Sequence, residues 1–339
     1  MRPDIKDFTL PELEENIISM GEPRYRAEQV FLWLYRKRTS DFGLMLNIPG
    51  ALRKKLSENF PPRNLEACER RKAADGVEKF LFRLHDGEFT ESVIIPSPGR
   101  NTICVSTQVG CSRKCKFCAS GAMGFKRNLE PGEITGQFLE AENITGDKIT
   151  NIVFMGMGEP FDNYRNLCRA IRILNHPAGI NISARRMTVS TAGIIEGIEK
   201  FTSFEMPVKL AVSLHAPDQE LRSSIMPVSR KNPLPRLLKA LAAFRKTGRK
   251  LTLEYALIKD VNDSPRAAGK LARIAGRLDC AVNIISFNPV PGSPFEAPPD
   301  KTVEDFMNEL HSLGVMVSLR RARGPEISAA CGQLAGKRK

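Results

Sequence analysis

Three cysteines fall within eight residues in Cys111-Ser-Arg-Lys-Cys115-Lys-Phe-Cys118, directly after the apolar segment Ile103 to Gly110. The spacing C-x-x-x-C-x-x-C lets three thiolates from one loop converge on a single inorganic centre. Iron–sulfur clusters normally take four cysteine ligands, and no fourth cysteine lies in this loop at ligand spacing. A cluster held by three thiolates leaves one iron open to chelate a small molecule, which is a catalytic arrangement. Structural zinc needs four ligands, usually as two pairs, and His85, His176, His215 and His311 are scattered and form no pair. Three buried structural thiols fit less well, because Ser, Arg and Lys lie between them. The triplet reads as a cluster site.

Other residues carry weaker signals. In Gly158-Glu159-Pro160 the glycine lets backbone approach a ligand, the proline stiffens the turn, and the carboxylate suits a cationic amino group. Taken alone, this is an ordinary loop. Cys68, Cys168 and Cys280 look like small buried apolar residues. Cys331 differs, since Ala329, Ala330 and Gly332 leave room around it. Arg320, Arg321 and Arg323 would favour its thiolate if they lie near it in space. A buried inert thiol fits the same local composition.

The elements that must position these residues come in three stretches. Residues 1–65 read as helical, with helices over Pro11 to Met20, Arg24 to Arg36 and Ala51 to Phe60. Residues 66–98 alternate in the manner of a small β-meander, turning at Asp75-Gly76 and Asp86-Gly87, with a boundary at Pro96-Ser-Pro-Gly99. From 99 to 336 strands and helices alternate. Strands are expected at Ile103–Thr107, Asn151–Met155, Met187–Thr191, Val208–Ser213, Leu251–Ala256 and Ala281–Ser286, with a seventh at Val315–Leu319. Six β/α units are too few for a closed eight-stranded barrel, which leaves a doubly wound sheet or a partial barrel. In either fold chemistry gathers at the carboxyl ends of the strands. Cys111, Glu159, Ser190, Ser213 to His215 and Asn288 all fall there.

A formal net charge of +13, from 51 basic and 38 acidic residues, favours a polyanionic partner through counterion release. The clusters include Arg70 to Lys72, Lys126-Arg127, Arg185-Arg186, Arg249-Lys250 and a basic tail at 337–339. Singly, each is an ordinary solvated surface. There is no signal region and no apolar run of membrane length, so a cytoplasmic protein is expected. Eight cysteines with three in one ligand cluster fit a reducing compartment.

Three contexts combine around the triplet: Cys104-Val-Ser-Thr-Gln-Val-Gly-Cys111, Met155-Gly-Met-Gly-Glu-Pro160 and Ala329-Ala-Cys331-Gly-Gln-Leu334. Together they resemble the RlmN/Cfr family of radical S-adenosylmethionine (SAM) RNA methyltransferases, over Pro23 to Gly336. The resemblance implies a partial (β/α)6 barrel with an RNA-handling helical accessory domain. It implies a [4Fe-4S] cluster on Cys111, Cys115 and Cys118, and SAM at Gly158, Glu159, Ser190, Ser213, Leu214, His215 and Asn288. Cys331 becomes the methyl-carrying cysteine, Cys104 its partner, and Glu91 the proton acceptor.

On that scheme one SAM methylates Cys331, and a second yields a 5′-deoxyadenosyl radical that activates the S-methyl group toward adenine. Cys104 then attacks the Cys331 sulfur and forms a disulfide as the methylated base leaves. The implied substrate is C2 of a peptidyl-transferase-centre adenine in 23S rRNA, with tRNA adenine as a further target and flavodoxin or ferredoxin as electron donor. An adenine ring carbon is too poor a nucleophile to attack SAM directly, and a paired adenine hides its edges, so an unstacked loop base is required. Spacing alone leaves the C8-methylating alternative open. The N-terminal region and Ile284-Ile-Ser-Phe-Asn-Pro-Val-Pro291 favour C2.

Overall fold

The computed structural model describes residues 3–61, 63–290 and 292–336. The basic tail at 337–339 and Pro291 of the motif above lie outside the described residues.

Three helices open the chain: α1 (Leu10–Ser19), α2 (Tyr25–Tyr35) and α3 (Gly50–Asn59). Thr9 and Glu12 form a capping box that starts α1. The helical spacing of Leu13 and Ile17, of Ala27, Val30, Phe31 and Leu34, and of Leu52 and Leu56 turns one apolar face of each helix into a shared core. This layer is pinned to the rest of the chain. Asp7 accepts the Gly132 N–H at 2.9 Å, the Tyr35 hydroxyl donates to the Lys6 carbonyl at 2.8 Å, and Arg169 reaches Glu12 at 2.9 Å.

The strands are β1 (Glu66–Lys72), β2 (Glu78–Arg83), β3 (Phe89–Ser97), β4 (Arg100–Cys104), β5 (Gln108–Gly110), β6 (Phe125–Asn128), β7 (Asn151–Phe154), β8 (Met187–Thr191), β9 (Lys209–Ser213), β10 (Leu251–Leu257), β11 (Ala281–Ser286) and β12 (Val317–Arg320). Ten of them form one sheet in the order β1-β2-β3-β4-β7-β8-β9-β10-β11-β12. β1 to β4 pair antiparallel, and from β4 onward every pairing is parallel. Crossover helices run between the parallel strands: α5 (Pro131–Thr145), α6 (Tyr164–Asn175), α7 (Ile195–Thr202), α9 (Leu234–Arg245), α10 (Pro265–Leu278) and α11 (Asp300–Ser312). Short helices α4 (Ala119–Ala122) and α8 (Gln219–Ile225) lie in loops at the strands' carboxyl ends. The result is an open α/β barrel with accessory helices.

Beyond one-residue shifts at other strand ends, and Cys68 and Cys280 being only partly buried, the structure differs from the sequence reading as follows. The segment expected as a boundary at Pro96 to Gly99 is a hairpin turn, with Ser97 paired to Arg100, so the meander extends the barrel sheet. The strand expected over Ile103–Thr107 stops at Cys104. The Gln137 amide takes both backbone groups of Ser106, accepting its N–H at 2.8 Å and donating to its carbonyl at 3.0 Å, in place of a ladder partner. The last strand begins at Val317 rather than Val315, whose N–H is spent on the Leu310 carbonyl at the end of α11.

Candidate functional site

The cluster loop hangs between β5 and β6, a two-stranded hairpin with no clear sequence signal. Its geometry requires glycine at 110, where φ is +72° and a Cβ would sit 1.8 Å from the Gly124 carbonyl oxygen. Inside the loop the Cys118 N–H bonds the Cys115 carbonyl at 3.2 Å, and the Lys116 N–H bonds the Ile225 carbonyl at 3.0 Å. Cys111, Cys115 and Cys118 all line one cavity of about 170 Å³ at the carboxyl ends of the strands. Burial pushes the Cys111 thiol up to about 12 and raises Cys115 and Cys118 in the same direction. These thiols are neutral unless a cationic centre takes up their charge. No three His, Cys, Asp or Glu side chains among the described residues converge closely enough for a single ion. What the structure does supply is three thiols on the wall of one cavity, the donor set that three-cysteine ligation of a cluster needs.

The same cavity is lined by Gly158, Glu159, Ser190, Ser213, His215 and Asn288. Gly158 has φ +101°, and a Cβ there would come within 2.6 Å of Gln108. Gln108 in turn accepts the Glu159 N–H at 2.8 Å, so β5 positions the carboxylate loop. Each Glu159 oxygen accepts one backbone N–H, from Phe161 at 3.0 Å and from Ala192 at 2.7 Å. Burial nonetheless outweighs those donors and raises the group to about 7. His215 accepts the Ala256 N–H on Nδ1 at 2.8 Å, which leaves the proton on Nε2. Burial, with Arg222 nearby, lowers it to about 3, so it is a neutral imidazole, edge-on to Phe117 at 4.7 Å. Leu214 does not join this wall: its side chain is in the core, and its N–H bonds the Glu254 carbonyl at 3.0 Å.

Cys104 and Cys331 share a second, larger cavity of about 770 Å³ that adjoins the first. Cys104 is 8% exposed at the end of β4, and Cys331 is exposed on the C-terminal loop. Burial and then the neighbouring Cys331 raise Cys104 to about 12, while Arg320 works against the shift. The C-terminal loop is docked on the cluster loop. The Gly332 carbonyl accepts the Ala119 N–H at 2.7 Å, and the Leu334 carbonyl accepts the Ser120 hydroxyl at 2.7 Å. Asn288 donates to the Cys331 carbonyl at 3.1 Å. Of the three arginines expected beside Cys331, Arg320 is there electrostatically, while Arg323 is held by Asp75 at 2.5 Å. All eight cysteines are free thiols. No Cys104–Cys331 disulfide is present in this structure, although the two thiols are electrostatic neighbours.

Glu91 is not on either of these cavity walls. It is 2% exposed, pairs with Lys79 at 2.8 Å and accepts the Ala335 N–H at 2.7 Å, beside a third cavity of about 360 Å³. Two further residues carried no sequence signal. Arg222, fully buried, donates to the carbonyls of Ala192, Ser213 and Leu214 and so ties the ends of β8 and β9 together. Glu254 is 4% exposed and borders both adjoining cavities, with Oε1 accepting from Asn283 at 2.9 Å and Oε2 without a hydrogen-bond donor among the described residues. In sequence, Arg222 and Glu254 look like any charged residue of an amphipathic helix or strand.

Comparison with known proteins agrees with this geometry. Residues 3–61 match the "Ribosomal RNA large subunit methyltransferase N-terminal domain" model, and residues 105–270 match the "Radical SAM superfamily" model. The chain is 46% identical over 331 residues to a probable dual-specificity RNA methyltransferase RlmN of Caldicellulosiruptor saccharolyticus, covering 97% of this chain and 96% of that one. It is 43% identical to the protein of the same description from Geobacillus kaustophilus, covering 99% and 93%. The crystal structure of a radical SAM methyltransferase from Sphaerobacter thermophilus superposes with a TM-score of 0.94 at 44% identity, covering 99% of this chain and all of that one. With this identity over its whole length, and with its cysteines placed around two adjoining cavities, the chain belongs to the RlmN family of the radical SAM superfamily.

Proposed function

We propose that this protein methylates C2 of an adenine in RNA, acting on both 23S rRNA and tRNA, with a [4Fe-4S] cluster and SAM as cofactors. The observation that carries the reading is the place of Cys331, which borders both the cavity of the cluster cysteines and the larger cavity it shares with Cys104. A methyl carrier needs that position, facing the cofactors on one side and the substrate on the other.

Cys111, Cys115 and Cys118 would hold the cluster, and Glu159, Ser190, Ser213, His215 and Asn288 would hold SAM, with Leu214 contributing backbone only. When bound, the two cofactors supply methyl groups and a carbon-centred radical. The protein's residues do the remainder. Cys331 carries the carbon to the base. Cys104 attacks the Cys331 sulfur; an S–S bond forms, the S–C bond breaks, and its electron pair stays on the methylene carbon, which takes a proton to become the methyl group of the departing base. Arg320 works against the burial that raises the Cys104 thiol, the group that must attack. Glu91, proposed to take the ring proton, is tied to the carrier loop by the Ala335 N–H, so a shift of that loop frees a carboxylate oxygen. Residues 1–65 are proposed as the RNA-handling unit, residues 66–98 as the connecting meander and 99–336 as the catalytic core. A flavodoxin or ferredoxin is the proposed electron source, in the cytoplasm. No helix among the described residues is long and apolar enough to cross a membrane.

The test is the product nucleoside. Anaerobically reconstituted enzyme, given RNA, SAM and reductant, should yield 2-methyladenosine by mass spectrometry against isomer standards. Exclusive 8-methyladenosine would move the chain to C8 chemistry, and a colourless zinc protein with no methylated product would remove catalysis from the reading.

A further inference from the structure

The larger cavity is the barrel lumen, and the period-two alternation of the strands sorts its wall into layers. At the amino-terminal ends stand Arg100, Arg186, Lys209 and Lys250. Thr102, Thr188, Ala211 and Thr252 form the middle. Cys104, Glu254, Arg320 and Cys331 form the top. Closed (β/α)8 barrels fill this space with bulky apolar side chains. Here the small middle layer leaves the lumen open from end to end.

Two features of this lumen lack an ion-pair or hydrogen-bond partner among the described residues. Leu210 pairs with Leu251, so Lys209 and Lys250 stand side by side on neighbouring strands. Burial, and then Lys250 and Arg100, lower the Lys209 ammonium, which places these cations close enough to repel one another. Among the described residues none of the four basal cations takes part in an ion pair. At the other end, the buried Glu254 Oε2 has no hydrogen-bond donor. Lys250, just before β10, and Thr252 and Glu254 on it all line the lumen, and four residues of strand separate cation from carboxylate by roughly 13 Å.

We propose that the lumen seats the target nucleotide, entered from its amino-terminal mouth. Arg100, Arg186, Lys209 and Lys250 take the RNA phosphates, and the unpartnered oxygen of Glu254 accepts the exocyclic amine of the adenine beneath Cys331. This rests on the RNA methyltransferase reading and adds the route and the base contact. A folded acidic protein is the poorer fit, because the lumen admits one nucleotide and ends in a carboxylate.

Two measurements test it, with iron and sulfide content per chain as the folding check. In the first, Lys209→Glu with Lys250→Glu is compared with Arg236→Glu plus Lys239→Glu, the same charge change on the exposed face of α9. Affinity for a hairpin RNA carrying the target adenine should fall at least about tenfold in the lumen pair only, with a log–log salt slope shallower by about 1.4. Equal losses in both pairs, or loss of flavodoxin binding with RNA binding intact, would overturn the proposal. In the second, the target adenine is replaced by purine riboside, which lacks the amine. Wild type should bind this RNA about tenfold more weakly than the adenine RNA. Glu254→Gln should keep that difference through its amide carbonyl, and Glu254→Ala should abolish it. An equal penalty in wild type and Glu254→Ala would overturn the base contact. Wild-type protein that neither binds nor methylates RNA would instead remove the underlying reading.

Discussion

Glu159 shows how burial and ligand charge interact at one residue. Its folded-state value is raised to about 7 from an ordinary 4.5, chiefly by burial. The contribution of a raised carboxyl to stability is fully present below the unfolded value and is lost as pH rises through the folded one. Without ligand, therefore, thermal stability should decline between about pH 4.5 and pH 7, and Glu159→Gln should flatten that decline. SAM affinity should run the other way, weakening as pH falls through about 7, because only the carboxylate pairs with the ligand's ammonium group. Calorimetric titration at several pH values measures this, and a flat profile would remove Glu159 from the amino-group contact.

Cys331 and Cys104, proposed as carrier and resolving cysteine, should fail differently when mutated. Cys331→Ala leaves RNA unmethylated and unattached. Cys104→Ala accumulates RNA bound through Cys331, seen as a denaturant-resistant, nuclease-sensitive gel shift. Normal turnover by Cys104→Ala would show the roles to be misassigned. Lys79 is mostly covered and pairs with the buried Glu91 at 2.8 Å. Lys79→Met leaves that carboxylate unpaired, which should cost about 3 kcal/mol in chemical denaturation.

At the scale of elements, the cluster loop is set by backbone contacts as much as by its cysteines. Gly110→Ala would drive a methyl group into the Gly124 carbonyl of the facing strand, so the β5–β6 hairpin cannot close as it stands. The expected outcome is protein with little bound iron although all three cysteines remain, read from iron and sulfide content. Full loading would show that the hairpin does not hold the loop. Changing Cys111, Cys115 or Cys118 singly to Ala should abolish both cluster and turnover, since no ligand is spare. The C-terminal loop is tied to the same segment through Gly332 and Leu334, so damage to either should disturb both.

For the molecule as a whole, the net charge of +13 predicts RNA affinity that falls steeply with salt, and a flat titration would take the basic surface out of recognition. Local patterns made much of this protein legible in its sequence. The three proposed cluster ligands share one loop, so Cys111, Cys115 and Cys118 announced themselves by spacing. The helices of the first sixty residues and most barrel strands followed from periodicity, which is a property of neighbouring residues. What only the tertiary structure decided involves residues far apart in the chain. Cys104 and Cys331 are brought to one cavity by a sheet that places β4 and β12 around a common lumen. Glu91, a proposed catalytic acceptor, proves to be clamped by Lys79 and the Ala335 amide. Arg222 and Glu254 become distinctive only through burial, which depends on everything packed against them. Spacing along the chain encodes contacts within a loop or helix face; contacts across the barrel exist only once the strands have paired in register.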